Sequence, residues 1–134
     1  MQKINQKYIT SVVKKALLED ISPKGDITTN LIDTKNNIIK AKIIAKQNGI
    51  ISGLNFCKTA FKLIGKETVF RSKIQDGRRV KKNKVIAEIK ARTQTILIAE
   101  RTALNFLNHA SGISTLTNKF VKKIKKKSKI CCTR

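Results

Sequence analysis

Near the start of the chain, Ile9, Val12, Val13, Ala16 and Leu17 share one side of residues 5–19 with lysines opposite, predicting an amphipathic helix. Pro23 and Gly25 then mark a loop, with Asp26 or Thr28 able to cap a short turn around residues 30–32. After Asn36-Asn37, the residues Ile39, Ala41, Ile43 and Ala45 alternate with Lys40, Lys42 and Lys46, the pattern of a half-buried strand. Asn48-Gly49 predicts a hairpin in which Ile50–Leu54 returns antiparallel. Phe56, Ala60, Leu63 and Ile64 predict a second helix with Gly65 as its C-cap.

Residues 69–75 alternate again, Asp76-Gly77 turns the chain, and Val80 with Val85–Ile89 supplies one or two more strands. Asn83 sits where a left-handed turn residue is needed. A long helix is predicted from about Thr95 to Asn108, interrupted at Ser111-Gly112 and followed by an amphipathic helix through Phe120, Val121 and Ile124. Residues 129–134 read as the start of an apolar strand. The class is α+β, with a compact unit up to about residue 95 followed by helix, helix and one strand.

The helix around residues 96–110 carries the most informative pattern. At about 100° per residue, Arg101, Asn105, Asn108 and His109 fall on one narrow arc. Ile96, Ala99, Ala103, Phe106, Leu107 and Ala110 fill the opposite arc and are expected to face a core. Leu97, Ile98 and Leu104 flank the polar stripe and are expected to exclude water from it. A cation in such surroundings is costly unless something pairs it. Glu100 is adjacent in sequence, but residues one apart do not face each other on a helix. Arg101 therefore takes either an anion from elsewhere, which makes a binding site, or a distant Asp or Glu, which makes a structural ion pair.

Composition narrows the choices. A chain of 134 residues holds one ordinary domain, or one domain and a fragment of another. It is too short for a complete (β/α)8 barrel of roughly 200 residues or more. Thirty Lys+Arg against eight Asp+Glu give a formal charge of +22. That excess admits a polyanionic partner, and equally a compositional drift towards lysine scattered through every element. Aromatic residues are only 4%, with no Trp, so stacking platforms for bases are scarce. Cys57, Cys131 and Cys132 form no CxxC pair, and their odd number argues for reduced thiols in a cytoplasmic protein. No secretory signal pattern opens the chain, and no apolar run approaches the length of a membrane span. His109 is the only histidine, and packing or a hydrogen bond explains it more simply than catalysis. Lys46 and Asn48 beside Gly49 could contact a ligand, though a hairpin turn accounts for them.

An ordered set of segments resembles the N-terminal half of the quinolinate phosphoribosyltransferase family. They are Ala16-Leu17-Leu18-Glu19-Asp20-Ile21, Gly25-Asp26-Ile27-Thr28-Thr29, Ala45-Lys46-Gln47-Asn48-Gly49 with Gly53-Leu54, and Asp76-Gly77 with Val80. The strongest is Glu100-Arg101-Thr102-Ala103-Leu104-Asn105-Phe106-Leu107, continuing through Ser111-Gly112-Ile113 to Leu116-Thr117. Thr133-Arg134 resembles the opening of a Thr-Arg-Lys-Thr segment, although Cys132 stands where an acidic residue is common.

The resemblance implies an N-terminal α/β sandwich domain over residues 1–100, followed over 101–134 by the first helices and first strand of an incomplete α/β barrel. It implies transfer of a phosphoribosyl group from phosphoribosyl pyrophosphate to quinolinate with decarboxylation, giving nicotinate mononucleotide, CO2 and pyrophosphate. That step belongs to de novo NAD synthesis. Mg2+ would accompany phosphoribosyl pyrophosphate, with its ligands outside this chain, and the enzyme would be a homodimer or higher homo-oligomer. Arg101 is expected to bind substrate in a neighbouring subunit's site, and Arg134, with Thr133 beside it, to bind substrate at a strand end. Such basic groups would stabilise charge as C1 of the ribose becomes cationic and pyrophosphate departs. The later barrel residues that grip sugar phosphates and metal are absent, so a truncated part inactive by itself is expected. The alternative is a basic, non-enzymatic nucleic-acid-binding protein, whose binding would fall steeply with salt.

Overall fold

A computed structural model describes residues 4–21, 37–124, 128 and 130. Its elements in chain order are α1 (Gln6–Asp20), β1 (Ile38–Ile44), β2 (Gly49–Ile50), α2 (Leu54–Ile64), β3 (Val69–Ser72), β4 (Arg79–Val80), β5 (Val85–Arg92) and α3 (Thr93–Ile124). The loop and turn expected over residues 22–36, and the strand expected over 129–134 with Cys131 and Cys132, lie outside the described residues.

Helix α1 starts where Asn5 caps it, its side chain accepting a hydrogen bond from the Lys7 amide at 2.8 Å. Ile9, Val13 and Leu17 recur at helical spacing and are buried, so the periodicity read from sequence is the face that packs.

The main sheet is antiparallel in the order β1-β5-β3. Ala41 pairs with Ile89 and Ile43 with Ala87, and on the other side Phe70 pairs with Ile89. Being central, β5 buries Ala87, Ile89 and Ala91 in strict alternation. The register shifts beside Ile43/Ile44, where Ile86 is an extra residue on β5, and the bulge lets Ile86 turn inward as well. Lys40, Lys42, Arg71 and Lys90 are exposed on these strands, and Lys73, just after β3, is exposed and paired to Glu88 at 2.9 Å. These five of the chain's 30 Lys and Arg residues lie on or beside a solvated sheet surface.

The hairpin expected at Asn48-Gly49 is absent. Strand β1 pairs along its whole length with β5, while β2 joins β4 in a separate two-stranded sheet. The amides near the bend find partners from elsewhere. The Asn48 side chain accepts from the Lys82 amide at 2.8 Å, and the Ile50 amide donates to Thr115 Oγ1 at 2.8 Å. A long strand match and a helix hydroxyl outweigh the preference of a two-residue turn.

Asp76 does more than turn the chain. Its carboxylate accepts from the amides of Gly53 and Leu54 at 3.2 and 3.1 Å, capping α2 across a gap in sequence. Gly53 takes φ +93, and a Cβ there would lie 3.1 Å from both Ala110 Cβ and the Phe106 carbonyl oxygen. At the other end Gly65 does cap α2, but with extended backbone. What it supplies is room, since a Cβ would sit 2.6 Å from Thr95 Oγ1. The left-handed turn residue expected at Asn83 is observed, with φ 66.

Helix α3 overturns the expected break at Ser111-Gly112. It runs unbroken for 32 residues and also crosses residue 100, where two domains were divided from sequence. Ser111, Thr115 and Asn118, spaced along one side, each take a partner from the β2–β4 region. Ser111 Oγ donates to the Ser52 carbonyl at 3.1 Å and accepts from the Ser52 amide at 3.0 Å. Thr115 Oγ1 holds Ile50, and Asn118 Oδ1 accepts from Arg79 Nη2 at 3.1 Å. These contacts keep the helix continuous past a residue that breaks helices in isolation.

The core joins these elements. Phe61 of α2 meets Phe70 of β3 with ring centroids 6.2 Å apart, and Phe56 of α2 stacks on Phe106 of α3 at 5.3 Å. Ala99, Ala103 and Leu107 of α3 are buried as expected, while Phe106 and Ala110 are half-buried. Among the described residues no helix is long and apolar enough to cross a membrane.

A Cβ on Gly112 would meet nothing within 4 Å, so Gly112→Ala should raise stability by about 0.5–1 kcal/mol in urea unfolding. A loss of stability would contradict the continuous helix. Burial pushes the Cys57 thiol from its ordinary 9.0 to about 12. The unfolded chain releases that proton near its ordinary value while the native chain keeps it. The thiol's contribution to stability is therefore whole below about pH 9 and lost as pH rises towards about 12. At mildly alkaline pH, iodoacetamide should leave the Cys57 peptide unmodified until the protein unfolds; modification at a free thiol's rate would contradict this burial.

Candidate functional site

The buried seam of α3 fixes which of its residues face outward. With Ala99 and Ala103 fully buried, Arg101, Asn105, Asn108 and His109 all emerge exposed on one side, as the helical spacing requires. The expectation that flanking apolar residues would exclude water from this stripe is not met. Leu97 is exposed, Ile98 and Leu104 are half-buried, and the Arg101 side chain is 74% exposed.

The anion that meets Arg101 in this chain is Asp20, the last residue of α1. Arg101 Nη1 donates to Asp20 Oδ1 at 3.0 Å, and Thr102 Oγ1 donates to Asp20 Oδ2 at 3.2 Å. The ion-pair reading of Arg101 is therefore realised, though not in a buried setting. A carboxylate at a helix C-terminus stands against the negative end of the helix dipole. Asp20 offsets that cost with one cationic and one hydroxyl donor, both from α3.

Nη1 meets Asp20, and among the described residues Nε and Nη2 have no partner. One edge of the guanidinium fork is thus open to solvent, the edge that binds a planar carboxylate through two parallel hydrogen bonds. Asp20 also lines a shallow open cleft with Glu19, Asn105, Phe106, Asn108 and His109. His109, expected to pack or to form a hydrogen bond, stands exposed on that cleft wall. Thr133 and Arg134 lie outside the described residues. Lys46 is exposed and Asn48 is committed to the Lys82 amide.

Among the described residues, no three His, Cys, Asp or Glu side chains come together to hold a metal ion. These residues offer Mg2+ no such donor set. The described phenylalanines offer little to nucleic acid. Phe61 and Phe70 are buried and Phe56 stacks on Phe106, leaving Phe120 exposed without an aromatic neighbour.

The sequence model of a family described as quinolinate phosphoribosyl transferase, N-terminal domain, matches residues 26–111, which include Arg101. A probable nicotinate-nucleotide pyrophosphorylase (carboxylating) of Methanocaldococcus jannaschii is 39% identical over 130 residues, covering 95% of this chain and 44% of its own. A probable nicotinate-nucleotide pyrophosphorylase of Bacillus subtilis is 32% identical, covering 98% of this chain and 45% of its own. The solved nicotinate-nucleotide pyrophosphorylase of Francisella tularensis superposes with a TM-score of 0.85 at 34% identity, over 92% of this chain and 44% of its own. The chain thus spans less than half the length of these relatives.

The Asp20–Arg101 pair is too exposed to contribute much to folding. A double-mutant cycle with Asp20→Ala and Arg101→Ala, read by urea unfolding, should give a coupling below about 1 kcal/mol. A coupling of about 3 kcal/mol or more would mark a buried pair and contradict the exposed geometry.

Proposed function

We propose, because this chain belongs to the quinolinate phosphoribosyl transferase family through its N-terminal domain, that it contributes Arg101 to an enzyme making nicotinate mononucleotide. The reaction joins quinolinate to phosphoribosyl pyrophosphate and releases pyrophosphate and CO2. The carrying observation is the outward Arg101 guanidinium, whose open edge suits one of the two carboxylates of quinolinate. An arginine this exposed is placed to act on a ligand held by another subunit or domain. We assign Thr133 and Arg134 to the same substrate, and Mg2+ to phosphoribosyl pyrophosphate, as the family resemblance implies.

A second copy of the chain is part of this reading. Ile113, Leu116, Phe120 and Val121 are 50–55% exposed along the C-terminal half of α3, and such a row favours burial against a partner. The reading places the enzyme in the cytoplasm with its thiols reduced. Of the basic groups, Arg101 alone is assigned to quinolinate among the described residues; the lysines on the sheet serve as a solvated surface.

The chain fused to the remaining half of the Methanocaldococcus jannaschii relative should form nicotinate mononucleotide from quinolinate and phosphoribosyl pyrophosphate. In that fusion Arg101→Ala should lower kcat/KM for quinolinate by about a hundredfold or more, the scale of a lost charged contact. Arg101→Lys should recover only part of it, because an ammonium cannot make the two-pronged contact. An active fusion indifferent to Arg101→Ala would remove the assignment of Arg101, and a folded but inactive fusion would contradict the proposed reaction.

A further inference from the structure

An exposed arginine has many rotamers, yet Arg101 is held at one atom by a residue that is itself held. Asp20 ends a helix anchored in the core by Ile9, Val13 and Leu17. Its Oδ2 accepts from Thr102, a residue only 4% exposed, and its Oδ1 accepts from Arg101 Nη1. The chain of contacts runs from core to Thr102, to Asp20, to the guanidinium.

We infer that Asp20 is a positioning residue for Arg101, aiming the guanidinium so that its Nε–Nη2 edge is presented to an incoming carboxylate. The inference rests on Arg101 being a carboxylate-binding residue, and adds to that reading the group that orients it. Two features argue for orientation over fold stability. The pair is exposed on the arginine side, where ion pairs contribute little. Asp20 engages Nη1, so the contact leaves the two-donor edge intact. An arginine held in this way has lost rotamer freedom before the ligand arrives, so less is lost on binding. The opposing effect is the repulsion between Asp20 and a bound carboxylate. At an exposed site that repulsion is screened by water and salt, which lets orientation dominate.

The sign of one substitution separates the two effects. The fusion to the remaining half of the Methanocaldococcus jannaschii relative is titrated with quinolinate (pyridine-2,3-dicarboxylate) while the Nε–Hε resonance of Arg101 is followed by NMR. In the unsubstituted fusion that resonance should be resolved and should move on titration, and Arg101→Ala should abolish binding. Asp20→Ala should send the resonance to the position of solvated arginines and weaken binding about tenfold, as lost preorganisation of one long side chain requires. Asp20→Asn keeps an acceptor of the same shape and should stay within about threefold of the native affinity. Equal or tighter binding by Asp20→Ala would overturn the inference, making Asp20 a bystander or a competitor, while leaving Arg101's role in place. Binding indifferent to Arg101→Ala, or no binding at all, would overturn the substrate reading of Arg101 and reduce Asp20 to a structural contact.

Discussion

The rotation of α3 about its own axis is the constraint on which the site depends. Ala99 and Ala103 have no exposed surface and Leu107 has almost none, so this seam of the helix cannot turn away from the core. Small residues make the close approach possible. Gly53 and Gly65 at the two ends of α2 leave room for Ala110, Phe106 and Thr95 of α3, where an added methyl group would be tight at Gly53 and would collide with Thr95 at Gly65. Further along, Ser111, Thr115 and Asn118 tie the same helix to the small sheet through hydroxyl and amide contacts. With apolar packing at one end and polar ties at the other, the outward direction of Arg101 is settled by the fold.

The site therefore combines a rigid carrier with a flexible side chain. The carrier brings Arg101, Asn105, Asn108 and His109 to one exposed surface, and Asp20 restrains the most mobile of them. The resulting geometry is unlike a buried ion pair, in which both charges would be fully satisfied within the chain. Here one edge of the guanidinium has no partner among the described residues, the edge that the proposed reading gives to an external carboxylate. That fits the family to which the chain belongs, whose relatives are more than twice its length. Most of the lysines described lie on solvated strands, turns and helix surfaces.

How much of this was legible in the sequence depended on how far away each residue's partners lie. The helices over Gln6–Asp20 and Leu54–Ile64, the central strand and the turn at Asn83 follow local periodicity or local backbone preference, and all are observed. The side of α3 that packs, and the polar stripe opposite, were equally local. Asn48-Gly49 and Ser111-Gly112 misled because both are strong local signals overruled by distant groups: Lys82 and Thr115 at the first, Ser52 at the second. Asp76 capping α2 and Asp20 holding Arg101 were invisible for the same reason. In each case a carboxylate finds its donors on an element far along the chain, and no spacing rule connects them.

The most direct test of a ligand-ready Arg101 is a crystal structure, with quinolinate bound, of this chain fused to the remaining half of the Methanocaldococcus jannaschii relative. A carboxylate of the ligand should lie within about 3 Å of both Nε and Nη2 of Arg101, with Asp20 still on Nη1. Quinolinate bound elsewhere, with Arg101 turned to give both prongs to Asp20, would contradict the account.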